Sequence, residues 1–170
     1  MSHIFVVGFM GAGKSTVGHL LSERLGLPFV DMDERIVASM GRDIPAIFAE
    51  EGEASFRAAE SRVLSDLRSE TDSVVACGGG VVLADSNRAI LKELGSVVYL
   101  RVTAGEALAR IGTGGSRPLL TDGGITMAGQ LLKARESLYE STADVTVDTM
   151  GRDSGQVAAK AQNALRTAER

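Results

Sequence analysis

Short apolar, β-branched runs alternate along the chain with longer stretches in which apolar residues recur every three or four positions. The runs at 4–7, 28–31, 73–77, 97–102 and 145–147 are nearly continuous in apolar character, the signature of strands covered on both faces. Between them, Val17, Leu20, Leu21 and Leu25 make one helical face that stops at Gly26. Ile90, Leu91 and Leu94 make another, with Ser86 in the place of an N-cap and Gly95 in that of a C-terminal stop. A helix over about 53–68 turns Phe56, Val63 and Leu67 inward, and a last helix covers about 153–168. Strands alternating with helices predict an α/β fold: a central five-stranded parallel sheet with helices on both faces in three layers, and ligands beyond the C-terminal ends of the strands.

The length, 170 residues, fits a single domain able to bury its own core. A lone cysteine, Cys77, excludes an internal disulfide, and with only His3 and His19 beside it a zinc module is excluded as well. The net charge of −4 argues against a dedicated nucleic-acid surface. The apolar opening IFVVGFMGAG has no basic leader and runs into Lys14, so it is read as strand and turn rather than a targeting signal. No apolar run approaches the roughly 20 residues of a membrane span, and a cytoplasmic monomer is expected.

Glycine changes the picture most. There are 20 in the chain, well above the roughly 7% of average proteins. Eleven fall in three clusters, Gly8, Gly11 and Gly13, then Gly78 to Gly80, then Gly112, Gly114, Gly115, Gly123 and Gly124. The first belongs to GFMGAGKS at 8–15, which satisfies the P-loop pattern between a strand and a helix. Glycines let backbone N–H groups wrap phosphates, Lys14 supplies a positive charge to the β and γ oxygens, and Ser15 offers a hydroxyl to Mg²⁺. Gly11, Ala12, Gly13, Lys14, Ser15 and Thr16 are therefore the expected ATP-binding segment.

In VDMDERI, Asp31 and Asp33 sit where the second strand ends near that loop. Asp31 suits Mg²⁺, with Ser15, and Asp33 suits an acceptor hydroxyl; a plain helix cap at Asp33 fits the spacing equally well. Fourteen of the 18 basic residues are arginine, the better fork for carboxylates and phosphates. Arg57 stands three residues before Glu60, which fits a surface ion pair, and Arg135 allows the same reading; if both face a pocket with Asp33, the acceptor is a small polyhydroxy acid. Gly78 to Gly80 follows a strand and leaves room for a ring-sized molecule. The third cluster, about 112–124, reads as a mobile lid with Arg110 at its base and Arg117 near its centre, closing over the phosphates and excluding water.

Taken in order, GFMGAGKS, DMD, the FR of SFRAAE, GGG, RPLL, RESLY and VDT followed by Arg152 resemble the shikimate kinase family over nearly the whole chain. The resemblance implies transfer of the ATP γ-phosphoryl group to the 3-hydroxyl of shikimate, with Mg²⁺, in aromatic amino-acid biosynthesis. It implies that Asp33 orients or deprotonates the attacking hydroxyl, that Arg57 and Arg135 clamp the carboxylate, and that Gly79 contacts the substrate through its backbone. Arg117 resembles the lid arginine that reaches the phosphates, and Arg110 and Arg152 resemble the adenine-side arginines. Lys14, Asp33 and Arg117 are thus the expected catalytic residues. Ser154 departs from the pattern, standing where some relatives place a proline beside the adenine. Two other readings stay open on the residues alone: a P-loop kinase of gluconate or a nucleoside monophosphate, and an ATP-binding regulatory module without chemistry.

Overall fold

The structure is a computed structural model and describes residues 2–111 and 124–168. Five parallel strands, β1 (His3–Gly8), β2 (Phe29–Asp31), β3 (Val74–Ala76), β4 (Gly95–Arg101) and β5 (Val145–Asp148), form one sheet in the order β2-β3-β1-β4-β5. They alternate with α1 (Lys14–Leu25), α2 (Met32–Met40), α3 (Ile44–Glu50), α4 (Gly52–Asp66), α5 (Asp85–Leu94), α6 (Ala104–Ile111), α7 (Gly124–Thr142) and α8 (Ser154–Ala168).

The strand order dictates the layers. The chain leaves β1 toward β2 in one direction along the sheet and makes every later crossover in the other. Right-handed crossovers then put α1 on one face and the helices between β2 and β5 on the opposite face. The packing agrees: α8 returns beside α1, while α4 meets α5, and α5 meets α7. The predicted three-layer α/β architecture is the one observed. Phe5, Val6 and Val7 of β1, Val74 and Val75 of β3, and Val97, Val98 and Leu100 of β4 have no exposure at all, as strands covered on both faces require. At the sheet edge β5 departs from that expectation, because Thr146 and Asp148 alternate outward to solvent.

Local differences from the sequence reading have local causes. Ser86 does not cap α5; the helix begins at Asp85 and Ala84 stands at its cap without a side-chain bond. Gly95 ends α5 and starts β4 at once with extended backbone, and a Cβ there would lie 1.9 Å from the His3 carbonyl oxygen. Close strand pairing with His3, more than the end of the helix, demands this glycine. The helices α3, α6 and α7 went unread, although Asp43 caps α3 by accepting from Ala46 N–H at 2.9 Å.

The reversal of crossover direction lies at β1, whose neighbours are β3 and β4. A crevice opens at such a point beyond the carboxyl ends of the strands. The segment 8–15 follows β1 there, and Gly78 to Gly80 follows β3 beside it.

Candidate active site

The loop after β1 is shaped by backbone. Gly11 takes φ 77°, and a Cβ on it would sit 2.6 Å from the Ala107 carbonyl oxygen, so no other residue fits. Lys14 is buried and its ammonium donates to the carbonyls of Gly8 and Phe9 at 2.8 and 3.0 Å, drawing the loop around it. Gly13, at the N-cap of α1, supplies no capping side chain, which leaves the first N–H groups of the helix directed at whatever anion the loop surrounds. Around this loop Gly11, Ala12, Gly13 and Thr16 line one cleft together with Arg110, Thr149, Arg152 and Ser154. Arg110 is braced by Glu106 and by Thr149 Oγ1 at 3.2 Å, and donates to the Gly11 carbonyl at 3.3 Å. Arg152 donates to the Asp148 carbonyl at 3.0 Å. Asp153 and Gln156 cap the start of α8 reciprocally, at 2.8 and 3.0 Å, which fixes Ser154 at the wall of the cleft.

At the end of β2 the two aspartates divide. Asp31, not Asp33, is the cap of α2, its Oδ1 accepting from the N–H groups of Asp33 and Glu34 at 2.9 and 3.3 Å. Its other oxygen accepts from Ser15 Oγ at 2.5 Å, tying the strand end to the phosphate loop. The pair offers hard oxygen donors side by side, and no cluster of three or more metal-ligating side chains exists among the described residues. That donor set fits Mg²⁺, which keeps waters and substrate phosphates as most of its ligands, and not a metal needing an all-protein cage.

Released from capping, Asp33 lines a second pocket in the first turn of α2. Its walls include Phe48 and Phe56, Arg57 and Glu60 of α4, and Gly78 to Gly80. The glycine triplet makes room for the charges: a Cβ on Gly80 would fall 2.1 Å from Arg57 Nη1, and one on Gly78 2.6 Å from Glu60 Oε1 and 3.3 Å from Asp33 Oδ1. A Cβ on Gly79 would approach Arg135 Nη1 at 3.8 Å. Arg57 pairs with Glu60 at 3.0 Å and with Glu53 at 3.4 Å; Glu60 has no exposure and Arg57 is partly exposed, so the pair with Glu60 is half-buried and not the surface pair its spacing suggests. Burial pushes the Glu60 carboxyl above its usual range, opposed by Arg57 and reinforced by Asp33. Arg135, on α7, is 4% exposed and its charge also acts on Glu60. Asp33, Arg57, Gly79 and Arg135 are thus brought together. Arg117 and nearly all of the expected lid lie outside the described residues.

Comparison with known proteins decides what this arrangement belongs to. The shikimate kinase family profile matches residues 10–166. The chain belongs to the shikimate kinase family. The family's member from Halorhodospira halophila is 46% identical over 165 residues, covering 96% of this chain and 93% of its own. A solved shikimate kinase from Acinetobacter baumannii, in complex with shikimate, superposes with a TM-score of 0.95 at 39% identity, covering 98% of this chain and 94% of that one. A gluconokinase from Sinorhizobium meliloti, at 23% identity and a TM-score of 0.65 over 99% of this chain and 94% of its own, shares the fold alone. Membership in the shikimate kinase family makes the chain an ATP-dependent kinase, which removes the reading as a regulatory module without chemistry. Sequence reasoning missed Phe48 and Phe56 as pocket walls and gave Glu60 only a surface role. The i, i+3 spacing of Arg57 and Glu60 was the visible signal, but their burial depends on the glycine loop packing over α4.

Proposed function

We propose that five features of the site divide the work of the reaction carried by this family, transfer of the ATP γ-phosphoryl group to the 3-hydroxyl of shikimate. Gly11, Ala12, Gly13 and Thr16 hold the phosphates through backbone and hydroxyl, with Lys14 as the cation on the β and γ oxygens. Arg110 and Arg152 flank the adenine end. Ser15 and Asp31 hold Mg²⁺, which when bound offsets charge on the phosphates. Arg57 and Arg135 clamp the acceptor carboxylate, the Gly79 backbone meets its ring substituents, and Asp33 orients the attacking hydroxyl or takes its proton. Arg117 joins the phosphates from the expected lid. The observation that supports this most is the meeting of two carboxylates, Asp33 and Glu60, with Arg57 and three glycines in one pocket next to the phosphate loop, and of Arg135 from a fourth segment beside Gly79.

The chemistry needs little more than position. Phosphoryl transfer passes through a loose transition state, so alignment of acceptor oxygen and donor phosphorus, together with charge on the equatorial oxygens, supplies most of the rate. Asp33 is fixed for that task because its backbone N–H is held by Asp31, whose other oxygen is held by Ser15. The phosphate and acceptor sites are thereby joined through a single carboxylate. No helix among the described residues is long and apolar enough to cross a membrane, and a cytoplasmic monomer completes the proposal. A coupled ADP-release assay tests the reading: shikimate is expected to drive turnover, with gluconate and nucleoside monophosphates inactive. Turnover with either of those, and none with shikimate, contradicts it.

A further inference from the structure

The helix α7 carries two buried polar side chains one turn apart, Arg135 and Tyr139, which its i, i+4 spacing places on the same face. Tyr139 has no exposure and stacks on Tyr99 of β4, with ring centroids 5.1 Å apart and planes inclined by 22°. The stacking fixes the ring against β4, and its hydroxyl reaches the loop after β3. There it donates to the Gly79 carbonyl, and the Arg135 guanidinium, whose Nη1 lies 3.8 Å from where a Cβ on Gly79 would sit, acts on the hydroxyl through its charge. Burial pushes the phenol up from its ordinary range, so the group keeps its proton and remains a donor.

A run of three glycines has the greatest backbone freedom of any tripeptide and needs fixing from outside. The carbonyl of Gly78 accepts from Val81 N–H at 3.1 Å and that of Gly80 from Leu83 N–H at 3.1 Å, both within the turn that follows. The middle carbonyl, that of Gly79, is held by a side chain from a different element. Because the peptide is planar, fixing this carbonyl also fixes the direction of the Gly80 N–H on the other edge of the same peptide.

We infer that Tyr139 is a positioning residue of the acceptor site, its hydroxyl setting the Gly79 peptide and the Arg135 guanidinium in register with each other. The inference rests on the roles proposed above for Gly79 and Arg135. Tyr139 itself acts through these two groups. Its ring belongs to the core, and its oxygen belongs to the site.

Tyr139→Phe keeps the ring and removes the hydroxyl. Steady-state kinetics with both substrates, read beside the thermal melt, is expected to show shikimate KM raised about tenfold, ATP KM within about twofold of wild type, and the melting temperature within a few degrees. In an Arg135→Ala background the same change is expected to cost less than about threefold, because one of the two groups it positions is already gone. Equal losses for both substrates with a large fall in melting temperature would make the hydroxyl merely structural and overturn the inference. So would an unchanged shikimate KM in a protein whose Arg135→Ala variant binds shikimate weakly. In that last case the inference alone fails, whereas an Arg135→Ala variant with wild-type shikimate KM would strike at the functional reading beneath it.

Discussion

The phosphate loop and the acceptor pocket lie side by side at the carboxyl ends of β1 and β3, yet they are made in opposite ways. The loop comes from one continuous stretch, 8–16, and works through backbone groups, a helix start and one buried lysine. The pocket draws its charged groups and glycines from α2, α4, the loop after β3 and α7, with Phe48 of α3 and Met10 of the phosphate loop in its walls, and works through side-chain charges that are partly removed from water. A continuous segment can carry its geometry with it wherever a strand meets a helix. A pocket assembled from four segments depends on the whole sheet to bring them within reach. The two sites are therefore expected to fail separately.

The largest effect belongs to the residue at the boundary. Asp33→Asn keeps the shape of the side chain and its backbone N–H to Asp31, and single-turnover kinetics at saturating ATP and shikimate are expected to show phosphoryl transfer slowed roughly 100-fold or more. ATP affinity stays near wild type; a rate within threefold of wild type would remove Asp33 from the chemistry. Next come the arginines. Loss of a charged hydrogen-bonding group costs about 1.5–3 kcal/mol, so Arg57→Ala and Arg135→Ala are each expected to raise shikimate KM about 10- to 100-fold with ATP KM little changed. A parallel rise in both constants would make these arginines supports of the fold instead of ligands.

The smallest effect is on stability and concerns Glu60. Its carboxyl lies above the ordinary 4.5 in the folded protein because burial disfavours the charged form. The folded state therefore binds more protons than the unfolded state from 4.5 up to the raised value. The stability this group contributes is present below 4.5 and is lost as pH rises through the folded pKa. Glu60→Gln removes the loss. The melting temperature of this variant, compared with wild type, is expected to rise with pH across that window and then level off, by a few degrees in all. A difference that stays constant or falls with pH contradicts the assigned burial of the charge.

The same contrast explains what could be read from the residues alone. The sheet was legible because three of its strands are apolar on both faces, and the phosphate loop because its spacing and its strand-to-helix context occur within a few residues of each other. The acceptor pocket was recognisable only through its resemblance to a family. Nothing in the spacing of Arg57 and Glu60 distinguishes a solvent-exposed pair from one half-buried beneath Gly78 to Gly80; burial is a property of the loop that arrives later in the chain. Asp31 and Asp33 show the limit at the scale of one residue. Both are good caps, and which one caps depends on where β2 ends and α2 begins. Tyr139 was visible only as the last residue of RESLY in that resemblance; its bond to Gly79, 60 residues away, left no trace in the spacing. The long helix bearing it was missed too, its apolar positions being spread around more than one face.

A crossed titration of two glycine variants tests the separation of the sites most directly. Gly11→Ala forces a left-handed backbone and a contact with the Ala107 carbonyl, while Gly80→Ala drives a methyl group into Arg57. Calorimetric titration of each variant with shikimate and with a non-hydrolysable ATP analogue is expected to show Gly80→Ala losing shikimate affinity by at least about tenfold while nucleotide binding persists, and Gly11→Ala showing the reverse. Equal loss of both ligands in both variants would contradict two separately built sites and would leave a single cooperative pocket in their place.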